Sequence, residues 1–340
     1  MSMSNEYNAK SQVQQNVASH LESAIERSLA SMDAGDAAAT FTVLELGCGP
    51  GNNSAALWRT IVKSVCAKSS TRPILVFAED LTGNNWASVF ETALREDQAN
   101  VFFAGVGRSF YDRLLPSKSV DFILSSTALH WLPAAEFPRP NRILCEDHAP
   151  PAIRREITDY ARRMWHTMFT HRAEELKPQH YFVFAMPQHW PERGQTNFVL
   201  FRQRTFPFDR VPAELHDRLC APMHWLDADT FEQFFGADTG HPNNLTHLFK
   251  LCSVTIHRTD CPYMAKYEVD KDVNALASSI IDSSLVVYGP FLRSVLKQKL
   301  SDDAITDIFA TWRREFIGMV TADALVEFVL SSYIVTLQRK

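Results

Sequence analysis

The sequence predicts an α/β fold, a doubly wound parallel sheet that carries a mostly helical cap. Three observations lead there. Short β-rich runs alternate with helix-length amphipathic segments through the first half of the chain, the pattern of strands joined by crossover helices on both faces of a sheet. The first strand ends in a glycine cluster, Gly47, Gly49 and Gly51, where a backbone can turn tightly into a helix. From about Gln188 the alternation stops, and Pro207, Pro212, Pro222 and Pro262 interrupt the second half of the chain.

Phe41-Thr42-Val43-Leu44-Glu45-Leu46 is β-rich and forms the first strand. A helix follows from Ser54, with Leu57, Ile61, Val62, Val65 and Cys66 on one face, the spacing of a buried helical stripe. Residues 72–78 form the second strand, which ends in Glu79-Asp80; residues 84–95 read as helix, 101–104 as the third strand and 120–124 as the fourth. Ile153, Ile157, Tyr160, Ala161, Met164 and Met168 then recur at helical spacing. Arg154, Arg155, Arg162 and Arg163 interleave with them as the solvated face of an amphipathic helix, a simpler account than an RNA-binding patch. Residues 180–186 supply a fifth strand. In the cap, residues 230–235, 271–284 and 290–300 read as helices, and the apolar stretch 325–337 returns to the sheet. The expected division is a core at 1–187, a cap at 188–310 inserted before the sheet is finished, and a C-terminal segment at 311–340 that rejoins the core.

The chain has 340 residues, 46% of them hydrophobic, enough for one large domain with a substantial insert. A formal net charge of -5 repels rather than gathers nucleic acid. The runs at 181–186 and 285–288 are far short of the roughly 20 apolar residues of a bilayer span, so no membrane partner is expected. The first twenty residues are polar and lack the basic-then-apolar layout of a secretory signal, which leads to a soluble, cytoplasmic expectation; a homodimer is left open. Six scattered cysteines then read as reduced thiols. Cys252, His257 and Cys261 lack the tight ligand pairs and fourth ligand of a zinc site, so no metal is expected.

Ligands of doubly wound sheets bind at the carboxyl ends of the strands. That rule gathers residues 47–53, Glu79-Asp80, residues 105–111 and residues 125–131 along one edge. The glycine turn departs from the dinucleotide fingerprint G-x-G-x-x-G at Asn52. Gly47, Gly49 and Gly51 behind an acidic residue instead match the spacing used by S-adenosylmethionine (SAM) methyltransferases. A carboxylate at Asp80 can accept hydrogen bonds from both ribose hydroxyls. By itself Asp80 reads as a turn cap; after a glycine loop it reads as a ribose ligand. Ser109 and Phe110 can offer a hydroxyl to the adenine and a ring to stack on it.

Four ordered motifs carry a family resemblance. They are Glu45-Leu46-Gly47-Cys48-Gly49-Pro50-Gly51-Asn52-Asn53; Glu79-Asp80-Leu81-Thr82-Gly83-Asn84-Asn85-Trp86-Ala87; Arg108-Ser109-Phe110-Tyr111-Asp112-Arg113-Leu114-Leu115-Pro116; and Ser125-Ser126-Thr127-Ala128-Leu129-His130-Trp131-Leu132. Tyr7, Ser11 and Gln14 preserve an amino-terminal pattern, and weaker similarity runs from residues 169–176 through the cap. The chain resembles the SABATH family, the SAM-dependent methyltransferases that include salicylate and benzoate carboxyl methyltransferases and the caffeine-type N-methyltransferases.

The resemblance implies a Rossmann-like class I methyltransferase sheet and SAM as cofactor. It implies that Tyr7, Ser11, Glu45, Gly47, Gly49, Gly51, Asn53, Asp80, Leu81, Ser109, Phe110 and Ser125 form the cofactor site. It further implies that Gln14 and Trp131 grip the carboxylate of a small-molecule acid, one by its amide and the other by its indole N–H, while His130 borders that acceptor. The expected reaction is attack of the carboxylate on the sulfonium methyl. An acid with a pKa of about 4 is already ionised at neutral pH, so no general base is needed, and catalysis is positioning. N-methylation of a purine-like acceptor and a non-catalytic SAM-binding role are the alternatives. Glu45 replaces the family's usual aspartate, Thr127 stands where many members have tyrosine, and the cap matches least.

Overall fold

Among the described residues, seven strands form one sheet in the order β3-β2-β1-β4-β5-β7-β6. These are β1 (Phe41–Leu46), β2 (Ile74–Asp80), β3 (Val101–Gly107), β4 (Val120–Ser126), β5 (Leu176–Pro187), β6 (Phe249–Asp260) and β7 (Val329–Arg339). The computed structural model describes residues 12–33, 36, 38–94, 100–188, 202–237, 240–260, 262–320 and 329–340. Strands β1 to β5 run parallel. Strand β7 is antiparallel to β5, and β6 is antiparallel to β7. The α/β expectation holds, with an antiparallel pair closing one side.

Helices α1 (Gln12–Ser31), α2 (Asn52–Lys68) and α3 (Trp86–Leu94) belong to one face of the sheet. Val17, Leu21, Ile25 and Leu29 of α1 recur every fourth residue and are buried beside Val43 of β1. Each fully buried side chain of this size stabilises the fold by about 1.5–3 kcal/mol. Helix α4 (Pro151–Glu175) covers the other face with Ile157, Tyr160, Trp165, Met168 and Phe169. Its Arg154, Arg155 and Arg163 are exposed, while Arg162 donates to the Thr230 hydroxyl at 2.9 Å. Helix α5 (Ala228–Phe235) adds Phe231, Phe234 and Phe235 to the same face. A third core joins α7 (Val273–Leu296) to α8 (Asp302–Met319) through Leu276, Ile280, Leu292, Ile305 and Trp312; α6 is Pro262–Asp270.

The second half differs from its expectation in three ways. Strand β6 falls where the sequence pattern implies a helical cap. Its register shifts between Leu251 and Ser253, which breaks the two-residue alternation, and as an edge strand it leaves Val254 and Ile256 exposed. The helices expected at 271–284 and 290–300 are one helix, α7, with Pro290 inside it. Burial of Leu276, Ile280 and Ile281 before the proline and Leu292 and Leu296 after it offsets the missing backbone hydrogen bond. Helix α8 has no counterpart among the expected elements, and it crosses the boundary expected at 310/311. The return of the C-terminal stretch to the sheet is β7. Helix α7 has the length and apolar composition of a membrane-crossing helix, yet its buried face packs in the third core and other residues of it line a large cavity at the sheet's carboxyl edge.

Candidate active site

The sheet order reverses between β1 and β4, so the loops that leave their carboxyl ends diverge and open a crevice there. Leu46 pairs with Ser125 at the last step of the β1–β4 register. Beyond it the two loops touch: a Cβ on Gly47 (φ +71°) would lie 2.2 Å from the Ala128 Cβ. Gly49 (φ +55°) faces open space, with no atom within 4 Å of where a Cβ would stand. The glycine loop is held by the acidic end of β2. Gly47 N–H donates to Glu79 Oε2 at 3.0 Å and Gly49 N–H to Asp80 Oδ2 at 2.8 Å, while Asp80 Oδ1 accepts Leu81 N–H at 2.7 Å. Asn84 Nδ2 donates to the Gly49 carbonyl at 2.6 Å.

Three carboxyl groups therefore crowd one loop. Burial raises the pKa of Glu45 to about 7, although the Ser54 hydroxyl and the Trp58 indole N–H each donate to it at 2.6 Å. Burial also raises Asp80, against the Leu81 and Gly49 amides, and pushes Glu79 well up, with the Asp80 charge adding to it.

The opposite wall is the loop after β4. Thr127 adopts φ +55°, a costly conformation for a β-branched residue, and its N–H donates to the Ala185 carbonyl at 3.1 Å. The following turn closes with Trp131 N–H on the Ala128 carbonyl at 3.0 Å. Tyr111 Oη donates to the Trp131 carbonyl at 3.0 Å and Trp165 Nε1 to the Leu129 carbonyl at 2.8 Å. The segment just before α5 docks alongside: Leu132 N–H donates to the Pro222 carbonyl at 2.7 Å, His224 N–H to the His130 carbonyl at 3.0 Å, and Trp131 bridges Met223. The His224 ring anchors that segment, with Nδ1 2.6 Å from Glu146 Oε2 and Nε2 3.6 Å from Asp227 Oδ2. Burial alone would lower the pKa of His224, but the Glu146 charge, then Asp227, raise it to about 9.

His130 is buried with no counter-ion among the described residues, and desolvation lowers its pKa to about 3, so it is a neutral imidazole at physiological pH. Its Nδ1 meets no partner among the described residues. The described tryptophans divide clearly. Trp58, Trp86, Trp165 and Trp312 each donate their indole N–H to a protein oxygen. Trp131 and Trp225 line the cavity and donate to none of the described residues.

The crevice is a cavity of about 720 Å³. Residues 2–196 match the family of SAM dependent carboxyl methyltransferases, more than half of the chain. The chain belongs to the SAM dependent carboxyl methyltransferase family. Among relatives, the probable jasmonic acid carboxyl methyltransferase 1 of Theobroma cacao is 30% identical over 143 residues, and the salicylate carboxymethyltransferase of Clarkia breweri 29% over 137. Each match takes in 38% of this chain and 38% of the relative. A solved structure of loganic acid methyltransferase with S-adenosylhomocysteine (SAH) shares the fold, at a TM-score of 0.74 and 18% identity over 98% of this chain and 96% of that one.

The cavity of this family member gathers most of the residues its motifs singled out. Glu45, Gly47, Gly49, Gly51 and Asn53 come from the first motif, Asp80 and Leu81 from the second, Ser109 and Phe110 from the third, His130 and Trp131 from the fourth. Ser125 is a correction. It is fully buried, its hydroxyl donates to the Leu46 carbonyl at 3.0 Å, and it does not line the cavity; Ser126 does. Glu45 lines the wall, but both oxygens are engaged by α2. Tyr7, Ser11 and the Gln14 side chain lie outside the described residues. Sequence reasoning missed Arg172, a buried guanidinium on α4 that ties the Phe110 and Asp112 carbonyls, each at 2.9 Å, to Glu175 at 2.8 Å. Its only signal is a place in the weaker similarity at 169–176. It also missed the wall supplied by Arg139, Arg202, Arg218 and Tyr288, which no local pattern marks. Among the described residues, no three His, Cys, Asp or Glu side chains gather as a metal site would require.

Proposed function

We propose that the protein transfers the methyl group of SAM to the carboxylate of a small-molecule acid, releasing a methyl ester and SAH. The observation that carries this reading is the Trp131 indole N–H, a donor on the cavity wall, in the loop that leaves β4 at the β1–β4 crevice, that the fold leaves without a partner among the described residues. A buried or half-buried indole seeks an acceptor, and an anionic oxygen is a strong one. The cofactor fits the opposite wall. Gly49 leaves open space where any other residue would place a side chain, and Asp80 stands at the end of β2 with its oxygens held by two backbone amides.

Bound there, SAM supplies an electrophilic methyl on a cationic sulfonium. Asp80, with Ser109 and Phe110, holds the nucleoside, and the carboxyl groups at the glycine loop favour a cationic ligand. Trp131 donates one hydrogen bond to the acceptor carboxylate and fixes its direction. His130, uncharged and desolvated, adds no cation that would hold the attacking oxygen's electrons. An ionised carboxylate needs no proton removed, so the chain's contribution is orientation and exclusion of water, and orientation of this kind supplies several kcal/mol of a barrier, up to about 7–11.

The test is the bond formed. Product made from labelled SAM and a panel of small carboxylic acids is expected to release its label as methanol in mild alkali, as an ester does and an N-methyl group does not. Trp131→Phe keeps the ring and removes the donor, so it is expected to lower turnover at least tenfold while SAM affinity stays within twofold. An alkali-stable product replaces carboxyl transfer with N-methylation, and normal turnover in the variant makes Trp131 a packing residue.

A further inference from the structure

The cavity lining carries charges of both signs on different segments. Its lining carboxyl groups, among the described residues, are Glu45 and Asp80, both at the glycine loop, whereas its lining cations are Arg139, Arg202 and Arg218. Arg202 is already engaged. It is buried, its guanidinium lies 4.5 Å from the centroid of the Tyr288 ring, and against burial Tyr288, then Cys145 and Asp147, raise its pKa. Arg139 and Arg218 are different: both are exposed as well as cavity-lining, which puts them at the solvent end.

Their loops are joined, with Arg142 N–H donating to the His216 carbonyl at 3.1 Å, so the two arginines stand on neighbouring backbones of one rim. Arg218 Nη1 donates to an uncharged partner, Gln298 Oε1, at 2.8 Å. Arg139 has no hydrogen bond or ion pair to any described residue. The acids near them in sequence, Glu136 three residues before Arg139 and Asp217 just before Arg218, do not line the cavity.

We infer that the acceptor is an acid with a second anionic group at its far end, a carboxylate, sulfate or phosphate, and that Arg139 and Arg218 hold that group at the cavity mouth. This rests on the carboxyl-transfer reading above. The reacting carboxylate sits best where no cation neutralises it, beside the Trp131 donor and the neutral His130, because a guanidinium paired with the attacking oxygen would stabilise the ground state. Exposed arginines that bind the acceptor's other anion at the rim do no such harm. Their planar donors suit a carboxylate, sulfate or phosphate held in two-point fashion. The apolar part of the lining, with Phe137, Met223 and Val287, suits the acceptor's carbon skeleton.

The full chain, loaded with SAH, is titrated calorimetrically with straight-chain and aromatic dicarboxylic acids and with the half-amide of each. A half-amide keeps one carboxylate and nearly the same shape but lacks the second charge. At least one diacid is expected to bind about tenfold more tightly than its half-amide. That preference is expected to fall below twofold in Arg139→Gln/Arg218→Gln, with SAH affinity unchanged as the check on folding. Equal binding of every diacid and its half-amide, or a preference that survives in the double variant, overturns the inference. Ester formation is read separately with labelled SAM. Half-amides methylated as well as diacids would remove the second-anion site and leave carboxyl transfer standing. Diacids that bind through the arginines but yield no alkali-labile methyl would do the reverse.

Discussion

Gly47→Ala tests the joint between the two walls of the active site. The new Cβ would lie 2.2 Å from the Ala128 Cβ, against the roughly 3.5–4.0 Å of an ordinary carbon contact, so one loop must retreat by more than 1 Å, by about the difference of those two figures. Such overpacking costs about 1–3 kcal/mol. The native φ of +71° adds about 1–2 kcal/mol for a residue with a side chain. The sum is a loss of about 2–5 kcal/mol in urea unfolding followed by far-ultraviolet circular dichroism. Displacing the loop also pulls Gly47 N–H from Glu79 and disturbs the Gly49 amide on Asp80, so SAM affinity falls as well. Ala128→Gly removes the opposing methyl. Combined with Gly47→Ala it relieves the steric part and leaves the φ part, so the double variant is expected to be more stable than the sum of the single effects by about 1–3 kcal/mol. Strict additivity, or a Gly47→Ala protein within 1 kcal/mol of wild type, about the φ cost alone, would refute the contact between the loops.

Two further perturbations read out the cofactor wall and the buried anchor. Asp80→Ala is expected to weaken SAM binding by about 1.5–3 kcal/mol, the worth of hydrogen bonds to a charged group; unchanged affinity in calorimetry removes Asp80 from the site. His224 has a folded pKa of about 9, raised from 6.5 by Glu146 and Asp227, so its contribution to stability is complete below pH 6.5 and is lost as pH rises through 9, by about 3 kcal/mol in all. His224→Gln should flatten the stability profile in that window. Glu45, raised from 4.5 to about 7, acts with the same sign over the lower window and Glu79 is raised as well, so the readout is the difference between the two proteins: wild-type and His224→Gln profiles that run parallel between pH 7 and 9 count against the His224 assignment.

The sequence by itself determined what depends on neighbours along the chain. A strand that ends in glycines and opens a helix is set by local backbone preferences, and β1, the glycine loop and α2 stand where the pattern places them. The acidic end of β2 and the His130-Trp131 turn after β4 were legible for the same reason, since each follows a short buried run. Tertiary structure decided what depends on segments that meet only in space. The apolar stretch of β6 lost its alternation to a bulge and its burial to an edge position, and only pairing with β7 makes it a strand. Pro290 marks a helix break in sequence, yet packing on both sides of it keeps α7 whole. Ser125 and Ser126 are equivalent in the motif, and the two-residue alternation of β4 sends one to the Leu46 carbonyl and the other to the cavity. The charge on His224 exists only because the fold brings Glu146, 78 residues away, within hydrogen-bonding distance. Arg139 and Arg218 share a rim through one backbone hydrogen bond between loops, a contact no sequence period encodes, because loop closure brings these segments together while helix and strand patterns describe only residues already adjacent.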